Sequence, residues 1–229
     1  MFQGWNHLTF LHWQYSPQVI RPLLPPNLEL DTFDGAAWVG LTPFLLTGLR
    51  PPGCPMLPWL SQFPEMNVRT YVRGPDGQRG IWFFSLEADR LAAVLGARLF
   101  YGLPYRWAQM RVHHDSASIE YTSHRHFGPG HANIAIQMGS PIHPNEQERF
   151  LTARFRLYTK IAGRLAFAQV DHAPWPLQSA TGLRLEQNVI ENSGLPAPVG
   201  EPLAHFSPGI DTRIGRPIFI SVSQKRPRA

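Results

Sequence analysis

Phe63-Pro64-Glu65-Met66-Asn67-Val68-Arg69-Thr70-Tyr71-Val72 is the stretch whose reading decides the fold. Glu65, Asn67, Arg69 and Tyr71 take alternate positions, and a period of two is that of a β-strand. One strand face therefore carries a carboxyl, an amide, a guanidinium and a phenol along a line. Facing water, they would form an ordinary solvated surface. Facing the inside of a closed sheet, they would line a polar pocket able to hold a carboxylate or an enolate. The next strand-like run, 80–87, contains Ile81-Trp82-Phe83-Phe84. So apolar a neighbour favours the interior placement.

Working outward, residues 7–15 alternate in the same way, and Ser16-Pro17 reads as the start of a short helix ending near Pro25-Pro26. Strands follow over 28–31 and 36–46, joined by an Asp34-Gly35 turn. The segment 50–64 holds prolines at 51, 52, 55, 58 and 64 together with Met56, Leu57, Trp59, Leu60 and Phe63. It is a loop too apolar to stand in water, expected across a pocket mouth, in a subunit contact, or packed on its own core. Residues 88–100, with Leu91, Val94, Leu95, Arg98 and Leu99 at helical spacing, form the strongest helix. Strands are expected over 106–113, 118–126 and 132–138, and a short helix over 145–152. A hairpin over 153–171, an ambiguous helix over 183–192 and a closing strand over 211–222 complete the chain. The pattern is α+β, dominated by a curved or closed antiparallel sheet. A single domain over 1–222 and a basic tail over 223–229 are expected.

Charged residues make up 16% of the 229, too few for a disordered chain or a coiled coil. The net charge of +5 comes from scattered arginines, and the densest basic run is Lys225-Arg226-Pro227-Arg228. That reads as a solvated tail, with no nucleic-acid partner expected. No apolar run approaches a membrane span, and no secretory leader precedes the first strand, so no membrane partner and a cytoplasmic location are expected. Cys54, the one cysteine, excludes an internal disulfide and reads as a bystander thiol.

Among the histidines, His113 should face Glu120 across a hairpin, about 13 Å from His124, so the two cannot share an ion. His124, His126 and His131 lie closer together, and whether they bind a metal stays open; surface strand histidines are the plainer reading, and neither a metal nor a cofactor is expected. There is no nucleophile elbow, phosphate-binding glycine loop or dinucleotide fingerprint.

Several segments carry a resemblance: Asn6-His7-Leu8-Thr9-Phe10, Leu23-Leu24-Pro25-Pro26-Asn27-Leu28-Glu29-Leu30-Asp31, the strand from Phe63 to Val72, and Leu103-Pro104-Tyr105. Val170-Asp171-His172-Ala173-Pro174-Trp175-Pro176-Leu177-Gln178 and His205-Phe206-Ser207-Pro208-Gly209 extend it. Together they resemble the YqjF-like family of uncharacterised bacterial proteins and, at a greater distance, acetoacetate decarboxylase. The resemblance implies a cone-shaped antiparallel β-barrel with a few peripheral helices and an internal pocket, and a homo-oligomer. It aligns Glu65 with a pocket glutamate. It aligns Tyr105 and Arg106 with two adjacent lysines, one forming a Schiff base with the ketone and the other depressing its pKa. Asn6 falls near a substrate-binding arginine. The motif thus keeps its shape and loses its nucleophile. Lys160, at a hairpin turn, and Lys225, in the tail, are the only lysines, and neither is placed to replace it.

The expectation is a small-molecule-binding barrel in which Glu65 acts as acid/base and Tyr105 as proton donor or oxyanion partner. Arg69, Arg106, Asn67 and His172 are the candidates for substrate binding, with a structural role the plainer reading of His172. As an enzyme, such a barrel would act on an oxo-acid by enolisation, lyase or hydrolase chemistry without a Schiff base. The alternatives are a non-catalytic binder of a carboxylate or apolar ligand and an interaction protein using the 50–64 loop.

Overall fold

A computed structural model describes residues 1–220. Its elements run β1 (Phe2–Tyr15), α1 (Pro17–Ile20), β2 (Glu29–Leu30), β3 (Ala37–Arg50), β4 (Phe63–Arg73), β5 (Arg79–Ala88) and α2 (Leu91–Tyr101). Then come β6 (Tyr105–His114), β7 (Ser118–Arg125), β8 (His131–Pro141), α3 (Glu146–Thr152), β9 (Arg156–Ile161), β10 (Arg164–His172), β11 (Gln178–Gln187), β12 (Leu203–Ile214) and β13 (Ile218–Phe219).

These strands form one sheet in the order β13-β10-β9-β5-β6-β7-β8-β11-β12-β1-β3-β4-β2, and additional β4–β5 and β10–β12 pairings close it on itself twice. One circuit, β5-β6-β7-β8-β11-β12-β1-β3-β4, encloses a packed core that includes Leu41, Met66, Val68, Ile134 and Ile136. The other, β10-β9-β5-β4-β3-β1-β12, encloses a second interior lined by Phe83, Leu86, Leu157 and Val170. The sheet's pairings are antiparallel except that β6 and β9 run parallel to β5. The first exception follows from α2, which carries the chain across so that β6 starts in the direction of β5.

β1, β3 and β4 form a wall between the two interiors, and their alternation decides which side chain enters which. In β4, Met66 and Val68 join the packed core while Glu65, Asn67 and Arg69 face the other way. β1 changes parity once. His7 takes a positive φ of 48° where the β1–β3 register shifts, so Gln3 and Trp5 before it, and Leu8 after it, face the same interior.

Three expectations change. The first half of the helix read over 183–192 is the end of β11, and a turn and a short 3₁₀ helix at Glu191–Ser193 follow. Register shifts between Gln178 and Ala180 and between Gly182 and Arg184 break the alternation that would have marked it as a strand. The closing strand read over 211–222 is the end of β12 and the short β13, separated by Gly215-Arg216-Pro217. The leucine stripe of α2 points outward: Leu91, Leu95 and Leu99 are exposed and only Val94 is buried. The basic tail and residues 221–222 lie outside the described residues. Asn145 and Glu148 form a reciprocal capping box at the start of α3, where the sequence placed a short helix.

Candidate active site

The second interior contains a cavity of about 540 Å³. Its walls are Trp5 and Leu8 from β1, Phe44 and Leu46 from β3, and Phe83 and Leu86 from β5, with Ala92, Ala93, Gly96 and Ala97 from α2. The proline-rich loop reaches it through Pro51, Cys54, Pro55, Leu57 and Leu60, so this loop lies over the pocket. Ser61 anchors the loop by accepting from the Leu57 amide (2.9 Å) and donating to the Leu49 carbonyl (2.7 Å). Arg90, just before α2, donates to the Trp59 carbonyl and lies over its ring.

Into this apolar space β4 projects Glu65, Asn67 and Arg69, all buried, with Thr42 of β3 beside them. The loop joins β3 to β4, so Glu65 sits near the loop end of the strand. Arg69 lies deeper, its Cα about 13 Å further on. Tyr105, the first residue of β6, donates from its hydroxyl to Glu65 Oε2 at 2.9 Å. Its position is set locally. Gly102 ends α2 in the left-handed conformation (φ 64°), and Arg98 of α2 donates to the Tyr105 carbonyl.

Burial pushes the Glu65 carboxyl from its ordinary 4.5 up to about 8; Tyr105 opposes the shift, and the charge on Glu87 adds to it. Burial, with the Glu65 carboxylate beside it, holds the Tyr105 phenol well above its ordinary value. Thr42 Oγ1, Asn67 Oδ1 and Arg69 Nε are buried without a hydrogen-bond partner within the protein. All three belong to residues that line the cavity, where a small rotation of each side chain would offer it to a polar ligand group. The Arg69 guanidinium lies over the Phe10 ring at 5.3 Å and beside the Tyr71 hydroxyl, which hold it in place while its Nε stays unpartnered.

Glu65, Asn67, Arg69 and Tyr105 therefore share one site, while Arg106 and His172 stand outside it. Arg106 follows Tyr105 in β6, so its side chain takes the opposite face and is exposed. His172 stacks on Phe155 (4.8 Å) and meets Trp175 at a tilt (5.3 Å), and its Nε2 faces the Arg154 carbonyl at 3.2 Å. It braces Trp175, which stacks on the cavity residue Trp5 at 6.0 Å. Tyr71, on the same strand face as Arg69, donates to the Leu151 carbonyl and pairs with His12 Nε2, behind the cavity. His113 pairs with Glu120, and His124 with His131. Among the described residues no three His, Cys, Asp or Glu side chains converge as metal ligands. Lys160 is exposed on β9, away from the cavity. Thr42 and the small residues of α2 were not singled out by the sequence. The signal was there in Ala92, Ala93, Gly96 and Ala97, which repeat at intervals of four on one helix face.

Fold and site together describe a closed β-sheet protein of the acetoacetate decarboxylase-like architecture, with an acid–phenol pair in its cavity. Acetoacetate decarboxylase from Legionella pneumophila superposes with a TM-score of 0.65 at 17% identity, over 96% of this chain and 87% of that one. The enduracididine biosynthesis enzyme MppR complexed with pyruvate gives 0.68 at 12% identity, over 96% and 90%. At such identities the likeness is one of fold. The family is shown by sequence: the DUF2071 model, "Uncharacterized conserved protein (COG2071)", matches residues 2–211, and the chain belongs to that family. Uncharacterized protein YqjF of Bacillus subtilis (strain 168) is 39% identical over 211 residues, 90% of this chain and 87% of that protein.

Proposed function

We propose that this protein binds a small oxo-acid in the cavity and moves its α-proton by acid–base chemistry, with no imine. The observation that carries this reading is Glu65, a carboxyl buried in an apolar cavity and titrating near 8, with one oxygen held by Tyr105. A base titrating near working pH suits proton abstraction next to a carbonyl. Glu65 Oε1 accepts the proton, the C–H electrons form the C=C bond of the enol, and the carbonyl π electrons pass to oxygen. The Asn67 amide, next along the strand, supplies a donor to that oxygen, and Arg69 receives the carboxylate. Reprotonation at carbon from Glu65 closes the cycle. MppR is complexed with pyruvate, and an oxo-acid of that kind suits this cavity's donors.

The test is α-proton exchange in D₂O, followed by NMR, with pyruvate, acetoacetate and related oxo-acids. Exchange should depend on the protein and rise through pH 8 as Glu65 ionises. Glu65→Gln should lower it by about 10²–10⁴-fold, and Tyr105→Phe should shift the pH midpoint. Unchanged exchange in Glu65→Gln would remove Glu65 from the reaction. Binding without exchange by any of these acids would leave a binding protein.

A further inference from the structure

We infer that the acid bound here carries a long apolar chain, on the order of ten carbons; this rests on the oxo-acid reading above and names its substrate class. Thr42, Asn67 and Arg69, which keep unpartnered buried atoms, group on one wall of the cavity; Gln3 and Ser61 also reach it, and the rest of the lining is mostly apolar. From Glu65 toward the loop the lining becomes Leu49, Leu57, Leu60, Ala93, Gly96 and Phe100. At about 30 Å³ for each water-sized group, the 540 Å³ cavity has room for many more atoms than a short oxo-acid brings. A pyruvate-sized acid on Arg69 would leave most of the apolar half to water that has few polar partners there.

Helix α2 shows that the space is built. A Cβ placed on Gly96 would have no atom within 4 Å, although the residue is inside a helix and lines the cavity. Glycine there weakens the helix relative to alanine. Its neighbours on that face, Ala92, Ala93 and Ala97, are also small, while the helix's leucines point outward. The helix thus presents small residues to the cavity over positions 92–97, with Phe100 and Tyr101 lining it at the helix end. The chain's free end points to the mouth, where Leu57 and Phe100 line the cavity and are also exposed to solvent.

The experiment is a titration of straight-chain 2-oxo acids from 2-oxobutanoate to 2-oxododecanoate, read by calorimetry, with α-proton exchange measured in the same samples. The Kd should fall about four-fold per added methylene, levelling off near ten carbons. Gly96→Phe fills the open space, and it should raise the Kd of 2-oxodecanoate by on the order of a hundred-fold and flatten the series; Ala93→Leu should act in the same direction. A Kd independent of chain length, or a long-chain Kd unmoved by both substitutions in folded protein, overturns the inference. The two readings fail separately. Affinity that climbs with chain length but brings no exchange supports the long chain and sinks the acid–base step. Exchange of short acids with a flat series does the reverse.

Discussion

Glu65 is the residue where burial and chemistry conflict most directly. Its carboxyl titrates at 4.5 in an exposed chain and at about 8 in the fold. Below 4.5 both states hold the proton and the protein has its full stability. Between 4.5 and 8 the unfolded chain has released the proton and the native state has not, so stability falls as pH rises through that window. The loss is on the order of 4 kcal/mol. Denaturant melts from pH 4.5 to 8.5 should show this decline in the wild type, and Glu65→Gln should remove most of it. Equal slopes in the two proteins would mean that Glu65 is not held protonated by the fold. His12, pushed well below its ordinary value by burial and by Arg69, acts at lower pH and with the opposite sign. It is common to both proteins and drops out of the difference. Glu65, Asn67 and Arg69 could be read from the sequence because a strand's period of two needs no tertiary information. Arg106 and His172 could not be placed in that way. They were singled out by position in a motif or by residue type, and their facing depends on where a strand begins and on which aromatics surround a ring.

At the scale of elements, the junction between α2 and β6 governs the site. Gly102 takes a left-handed conformation, and a Cβ there would collide with the Lys160 carbonyl of β9. Gly102→Ala should therefore cost at least about 2 kcal/mol in a denaturant titration, and loosen the Tyr105 contact to Glu65. A neutral effect would show that the turn can relax. The extent of α2 was legible from its leucine spacing, but its orientation was not. Periodicity shows that a helix has an apolar stripe, and not whether that stripe meets a core or solvent. β11 was missed for a related reason, since its register shifts spoil the alternation over so short a strand.

For the molecule as a whole, the run ending in Asp31 has a physical explanation. The Asp31 carboxylate, 1% exposed, accepts from Arg73 Nε at 2.9 Å and Arg154 Nη1 at 2.7 Å, with Arg79 Nε at 3.3 Å. It ties the segment after β2 to β4, to β5 and to the chain leading into β9. Arg154 is itself buried, so Asp31→Asn should cost about 3–5 kcal/mol by leaving that guanidinium uncompensated. Arg79→Ala, at the exposed member of the cluster, should cost under about 1 kcal/mol. Equal losses would mean that the cluster acts through packing. Nothing in local patterning brings residues 31 and 154 together; the double closure of the sheet does.

That β4 stands between the two interiors bears on how such a protein can change over generations. Positions 66 and 68 are constrained by the core volume they fill, whereas 65, 67 and 69 line the cavity and answer to its occupant as well as to partners such as Tyr105 and Phe10. Heritable changes on one side leave the other undisturbed. Residues on the cavity side can be exchanged while the same fold is passed on, so likeness of architecture carries little information about shared chemistry.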